Sequence, residues 1–401
     1  QQHPKIFISK KQLEISQQQL SEVSSALLPT VSLNLGIGRE DSNNTTSRAA
    51  SGFGSVEMER RESSITLSQM LFDGFNADNL RRGQLETISS DKLAYQYLAS
   101  EIAFKAIEAH LDVALKNKLL DDHLSHLNVH EKIAKDIGLR VRSGKDDRAR
   151  VSQISARLSL ALANLEEAKK QVFKANSDYL RTTGERPGRQ ISFQDGLYKM
   201  PESEADLVNS VLQNNVFLQA KSKEIEAQTF VEKASISARY PSLYLESGAS
   251  WNENIDGVSG RNSDAFIMLR MRYDLYKGGA DRANERVAKL QTQSLKYELD
   301  DVYRDIKNEA AQVWYSYQSN AKRVDFLQDY VESAQTTKKA YAQQFNIGQR
   351  SLIDLLDAES ELLRAKDQLH EARRSLGLSK FQILHLQSRL LASLQLEHAG
   401  E

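Results

Sequence analysis

The sequence predicts a mixed α/β chain, mostly α, built from one helix–strand–strand–helix unit used twice. Three observations carry that reading. The first is duplication at a fixed offset: Leu71-Phe72-Asp73-Gly74-Phe75 returns as Leu275-Tyr276-Lys277-Gly278-Gly279, 204 positions later. At the same offset the series Val151, Ile154, Leu158, Ala161, Leu165, Ala168, Val172 returns as Leu355, Ala358, Leu362, Ala365, Leu369, Ala372, Leu376, and Gly144 returns as Gly348. A shared offset over so many positions means that one structural unit was copied with its element lengths kept. The second observation is a pair of very long stretches without proline, 76–142 and 281–347. The third is short runs of apolar/polar alternation that interrupt the helical pattern twice, at matched positions.

Composition narrows the function classes. The chain has 401 residues, 40% hydrophobic, a mean hydropathy of −0.53 and only five prolines, which favours long helices over a thick core. A net charge of −1 leaves no electrostatic footprint for nucleic acid. Cysteine is absent, so disulfides, thiolate metal sites and a lipid-bearing N-terminal cysteine are not expected. No run approaches the roughly 18 apolar residues that a membrane-crossing helix needs. The chain opens at Gln1-Gln2-His3-Pro4, which suggests either a removed signal peptide or a late start.

The elements follow in order. Ile6–Leu28 has helical periodicity and stops before Pro29. Val31, Leu33, Leu35 and Ile37 then alternate with Ser32, Asn34, Gly36 and Gly38, a strand over about 30–39 with one apolar face. Glu40–Gly54, rich in Ser, Asn, Thr and Gly, reads as an exposed loop, and a second strand at about 63–72 returns to Asp73-Gly74. The stretch 76–142 contains only Gly83 and Gly138 as weak points and would reach roughly 100 Å as one helix. After Gly144 a helix over about 146–182 carries the 3,4-spaced series from Val151, the heptad spacing of helices packed side by side.

The first repeat thus occupies 1–186, and 187–204, with Pro187, Gly188, Gly196 and Pro201, is a linker. In the second repeat, 205–396, a helix runs to Arg239 before Pro241, and strands are expected at about 242–251 and 265–276 around a polar loop, Asn252–Asp264. Helices over about 281–347 and 351–394 complete it, and 397–401 is a tail.

The strand at 266–276 is the clearest. Ile267, Leu269, Met271, Tyr273 and Leu275 share one face, opposite Phe266, Met268, Arg270, Arg272, Asp274 and Tyr276. An unbroken apolar face opposite two arginines fits a tilted membrane strand of about 9–11 residues, with lipid on one side and water on the other. A half-buried strand of a soluble sheet has the same alternation. Only four strands are legible, however, too few for a soluble sandwich and too few to close a barrel. A bilayer tolerates no open sheet edge, so the membrane reading requires several copies to pool their strands.

Candidate sites are few. Asp354 and Asp357, at i and i+3, share one helix face with no partner acid or base apparent nearby, so a catalytic pair is not indicated. His123, His126 and His130 share a stripe and form a weak metal candidate, because a straight helix spreads its ends about 10 Å apart. Gly36-x-Gly38 lacks the third glycine and the following helix of a nucleotide loop. No nucleophile–base arrangement is found, so no enzyme activity and no cofactor are expected.

These residues resemble the TolC-like outer-membrane channels of Gram-negative bacteria over essentially the whole chain. The resemblance rests on the duplicated unit, on Leu28-Pro29 and Tyr240-Pro241 before the first strand of each half, and on the Asp-Gly and Gly-Gly turns into the long helices. It is most specific at Phe345-Asn346-Ile347-Gly348-Gln349-Arg350-Ser351-Leu352-Ile353-Asp354-Leu355-Leu356-Asp357-Ala358. The resemblance implies a homotrimer in which four strands per chain form a twelve-stranded outer-membrane β-barrel, continued by a twelve-helix periplasmic α-barrel. It implies a location in the outer membrane, extending into the periplasm, with Arg270 and Arg272 in the barrel lumen and Ile267, Leu269, Met271 and Leu275 toward outer-membrane lipid.

The flavour of the 348–359 stretch looks most like the type I secretion branch. That branch implies a periplasmic adaptor (a membrane fusion protein), an inner-membrane ABC transporter and an unfolded exported protein, such as a large repeat adhesin or toxin. A duct for a tripartite drug or metal efflux pump is the alternative, and a soluble coiled-coil scaffold is the alternative of another class. The resemblance also implies a periplasmic gate of Asp354, Asp357, Arg350 and Phe345. Ala149 and Arg150 depart from the family's Thr and Asp, which makes Arg150 with Asp354 or Asp357 the expected latch. The matched helix breaks, Ser143, Gly144 and Lys145 with Ile347, Gly348 and Gln349, are the expected adaptor-docking tips.

Overall fold

The computed structural model describes residues 3–51, 54–144, 147–188 and 199–394. Its contacts divide them into two compact units that cut across the sequence repeats: one built on residues 11–92 and 220–300, the other on 1–10, 93–219 and 301–401.

The first unit carries all four strands, β1 (Thr30–Ser42), β2 (Val56–Phe72), β3 (Ser242–Ile255) and β4 (Val258–Arg272), in one antiparallel sheet of order β1-β2-β3-β4. Period-two alternation and register act together here. Val31 faces Leu67, Leu33 faces Ile65, Leu245 faces Leu269 and Leu243 faces Met271, so every strand contributes an apolar row to the same face. That face is uncovered in the chain: Leu35 is 73% exposed and Ile267 72%. Ser32, Asn34, Ser64, Thr66, Glu246 and Arg270 line the opposite face, and both edges, β1 and β4, are open.

The strands differ in extent from the sequence expectation. Of the segments read as loops, Asn252–Asp264 largely continues the β3–β4 ladder, whereas of Glu40–Gly54 only 40–42 does: β1 runs on to Ser42, β2 starts at Val56, and a short helix, α2 (Thr45–Ser51), lies between them. Between β3 and β4 only Asp256-Gly257 lies outside the strands, both at positive φ, the two-residue turn that Asp-Gly favours, and a bulge at Asn254 shifts the register beside it. Gly257 has no substitute, because a Cβ there would lie 2.9 Å from Ser47 Cβ. Asn44 Oδ1 accepts from Thr46 and Ser47 N–H, and its Nδ2 donates to Asp256 O at 2.9 Å, fastening α2 to this hairpin. Polar residues on both faces concealed these extensions, since alternation vanishes where both faces meet water.

The strand expected to reach Tyr276 stops at Arg272. An Asp274–Lys277 ion pair and two left-handed glycines, Gly278 and Gly279, turn the chain into α7 (Ala280–Asn346). The matching turn after β2 uses Asp73, whose carboxylate accepts from Ala77 N–H at 2.7 Å, and Gly74, where a Cβ would stand 2.6 Å from Ser237 O. It leads into α3 (Asn76–Arg142). Within this unit the start of α3 lies against α1 (Pro4–Ser25) through Asp91 and Ser16. It meets α6 (Val216–Ser235) where Gly83 admits the Ala227 carbonyl. The turn 236–239 is 3-10 helix and ends in Arg239, which is ion-paired to Glu285.

The second unit is helical. α4 (Arg148–Thr183) buries Ile154, Ala161, Leu165, Ala168 and Ala175, the heptad stripe of its sequence. α8 (Leu352–Leu386) buries Leu355, Leu362, Ala365, Leu369 and Ala372 in the same manner. A ladder of polar cross-links ties α8 to α3: Arg374 to Asp112 at 2.8 Å, Lys366 and His370 to Asp122 at 2.8 and 2.9 Å, and His123 to Asp367 at 3.8 Å. The helix expected over 351–394 breaks at Gln387 and resumes as α9 (Leu390–Ser393). The break meets a second one, between α5 (Glu204–Asn214) and α6. The buried Asn215 donates to Leu386 O, and Ser388 Oγ accepts from Val216 N–H, so each break caps the other.

Candidate functional site

Two places carry the residues singled out above. The first is where α3 gives way to α4 and α7 to α8. α7 ends in a left-handed Gly348, with Gly348 N–H to Phe345 O and Gln349 N–H to Gln344 O, the paired bonds of a glycine-terminated helix. α3 likewise ends at a left-handed Gly144, with Ser143 bonded back onto Leu139 and Arg140; Lys145 lies outside the described residues. Asp147 caps α4, and Ser351 with Asp354 forms a capping box on α8: Ser351 Oγ accepts from Asp354 N–H at 3.2 Å while Asp354 Oδ2 accepts from Ser351 N–H at 3.3 Å. Beneath the breaks Ile137, Ile154, Phe345, Leu352, Leu355 and Leu356 form one buried cluster to which all four helices contribute.

The expected gate residues divide. Phe345 is 6% exposed and sits inside that cluster, under the Arg140 guanidinium at 5.2 Å, so within the chain it is a core residue rather than a latch facing the mouth. Without a hydroxyl it has nothing to hydrogen-bond, and burying a phenyl ring stabilises by about 1.5–3 kcal/mol. The described partner of Asp357 is Arg157, one helix over on α4, at 2.8 Å, not Arg150; two turns further along α4, Arg157 has the reach that Arg150 was given. Asp354 is engaged by its own helix N-terminus. Arg350 folds back onto α7, with Nε donating to Gln344 Oε1 at 3.0 Å and its guanidinium 4.0 Å from the Tyr341 ring centre. Ile347 is 68% exposed at the turn, and Ser143 and Gln349 are exposed with it.

The second place is the polar face of the sheet. Arg270 is ion-paired to Glu246 diagonally across β3–β4, and Arg272 lies 3.9 Å from Asp274. Phe266, on the same face, covers Gly248: a Cβ there would meet the ring at 2.9 Å. Arg60 holds Glu40 and Glu62 nearer the hairpin ends. The sequence reading missed Glu246, Arg60 and Arg157. Arg60 and Glu62 had a signal, since i and i+2 in a strand share a face. Arg157 had none, because its pairing depends on how two helices lie together.

The three histidines do not gather around a common point. His126 and His130 lie with ring centres 4.1 Å apart and planes tilted by 44°, His130 Nδ1–H donates to the His126 carbonyl at 3.1 Å, and His123 turns toward Asp367. Among the described residues no group of three His, Asp or Glu side chains could hold a metal ion. Nor is any described helix long and apolar enough to cross a membrane.

Comparison with known proteins bears on both places. Residues 207–383 match the outer membrane efflux protein family. The chain is 24% identical over 332 residues to the outer membrane efflux protein BepC of Brucella suis, covering 82% of this chain and 72% of that one. It is 22% identical over 357 residues to the alkaline protease secretion protein AprF of Pseudomonas aeruginosa, covering 87% and 74%. Among solved structures, CusC superposes with a TM-score of 0.82 at 15% identity, over 98% of this chain and 89% of its own. Four strands with one uncovered apolar face and long heptad helices ending in glycine turns thus accompany the similarity of this chain to outer membrane efflux proteins.

Proposed function

We propose that this chain is the outer-membrane duct of a type I secretion system, a passive homotrimeric channel that passes an unfolded protein across the periplasm and outer membrane. The observation that carries the channel is the sheet: four strands, one uncovered apolar face and two open edges. An open edge in lipid leaves backbone groups unsatisfied at several kcal/mol each, so the sheet must close, and further copies supply the missing strands. Closure with the apolar face outward puts Arg270, Glu246 and Arg272 against the water inside.

The exposed residues at the helix breaks, Ser143, Ile347 and Gln349, together with Lys145, are the surface offered to a periplasmic adaptor, and an inner-membrane ABC transporter supplies the energy. The likeness to a protein named for alkaline protease secretion supports an exported protein as cargo. The likeness to an efflux protein supports the second reading, a tripartite drug or metal efflux duct.

Deleting the gene separates the two. Loss of one or a few proteins from the culture supernatant with unchanged sensitivity to drugs and metals is the expected result. Increased drug or metal sensitivity with an unchanged secretome would transfer the duct to efflux. Substituting Ile347→Asp and Gln349→Ala should abolish export while leaving the outer-membrane assembly intact.

A further inference from the structure

Toward the end of α3 a pair of histidines, His130 buried and His126 half-buried, lies on one face of the helix. His130 is 1% exposed, and its ring lies 4.1 Å from that of His126, whose Nε2 is buried without a hydrogen-bond partner. The groups facing the pair are mostly cations or already engaged. Lys338 comes from α7 and is ion-paired at 2.9 Å to Glu359 of α8, itself 5% exposed. Arg157 comes from α4 and holds Asp357. On α3 itself His123 stands one turn back, directed at Asp367 of α8, whose Oδ1 is also buried and unpartnered. Beyond it Asp122 is taken by Lys366 and His370. One turn and two turns toward the tip are Ile133 and Ile137, the α3 share of the cluster that holds the hairpin ends together.

Resting on the reading of the chain as a duct, we infer that the His126–His130 pair is an acid-operated release: in mildly acidic surroundings a proton entering between these rings, faced by Lys338, Arg157 and His123, drives α3 away from α7 and α8 and loosens the tip. Burial, reinforced by His130, His123 and Lys338, pushes His126 down to about 4 from the ordinary 6.5, and burial also lowers His130 against the pull of the His126 carbonyl and Glu359. A histidine depressed in the packed state takes up its proton more readily once released, so the packed state loses stability as pH falls from about 6.5 to about 4 and loses no more below that. Asp367 acts in the opposite sense, because burial raises it and acid favours its packed form, which offsets part of the effect. Asp122, despite burial, is held below the carboxylate range by His370 and Lys366, so its loss falls at pH values under 3.8. Partial solvent access to the rings reduces the shift that reaches the helix, leaving an expected rise of about tenfold in local opening between about pH 7.5 and about pH 5.

Hydrogen exchange over residues 120–141 of the detergent-purified assembly, corrected for the intrinsic pH dependence of exchange, tests this directly. The wild type should show the tenfold increase. His126→Leu with His130→Leu, and the milder His126→Gln, should each hold it below about twofold. Equal responses in wild type and both variants, or no response in the wild type, would overturn the inference. Single-channel conductance in planar bilayers at the same two pH values reads the tip: it should rise with acid in the wild type only, and release without that rise would remove the link to the tip. Failure to form channels at either pH would refute the duct reading instead, while the exchange measurement would still decide the histidine pair.

Discussion

Asp354 and Asp357 lie three residues apart on one helix, yet the chain treats them differently. Asp354 is spent on its own helix N-terminus, and Asp357 is held by Arg157 across to α4. In a closed assembly three copies would bring six carboxylates toward one axis. Asp354→Asn with Asp357→Asn should therefore erase cation preference in planar bilayers, since asparagine still accepts the Ser351 N–H and α8 keeps its cap. Unchanged selectivity would mean that these carboxylates do not line the constriction. Arg157→Ala should cost at most about 1 kcal/mol, because the pair is exposed, and should increase cation preference by releasing Asp357.

At the scale of the element, the sheet turns a simple pattern into a sided wall. Register places Ile267, Leu269 and Met271 beside Ser247, Leu245 and Leu243, while Arg270 points away to Glu246. A charge introduced on the apolar face near the midplane should cost about 2–4 kcal/mol, whereas removing one from the polar face should cost little. Leu269→Arg should thus fail to assemble in the outer membrane, and Arg270→Leu should assemble. Equal assembly of the two would invert the faces or remove the strand from the membrane. The helices show the complementary case. Their heptad stripes were legible in the series from Val151 and Leu355, and the absence of proline marked α3 and α7. The partners in the α3–α8 ladder were not, since 248 residues separate Asp122 from His370.

At the scale of the whole molecule, one chain of 45.2 kDa is an incomplete wall. Its sheet ends in two unpaired edges, and residues such as Tyr297, Tyr315 and Phe326 on α7 are more than two-thirds exposed. Three copies are expected to be the stable species in detergent, with a protein mass three times that of the chain, measurable by native mass spectrometry or light scattering. A stable folded monomer would show that the open edges are tolerated and would remove the premise of the duct.

The sequence by itself determined what short-range periodicity and duplication can encode: long helices, apolar-faced strands, glycine-ended turns and a unit used twice. Each of these depends on neighbours a few positions away, where spacing and backbone preference are decisive. The tertiary structure alone decided the rest. It showed that the polar runs at 40–42, 252–255 and 258–264 belong to strands, because they are held by ladder bonds rather than by an apolar face. It placed Phe345 in a core shared by four helices, gave Asp357 to Arg157 instead of Arg150, and separated His123 from a close His126–His130 pair. Such pairings join residues that the chain brings together only after its helices have packed, and side-chain type alone does not specify a partner across that distance.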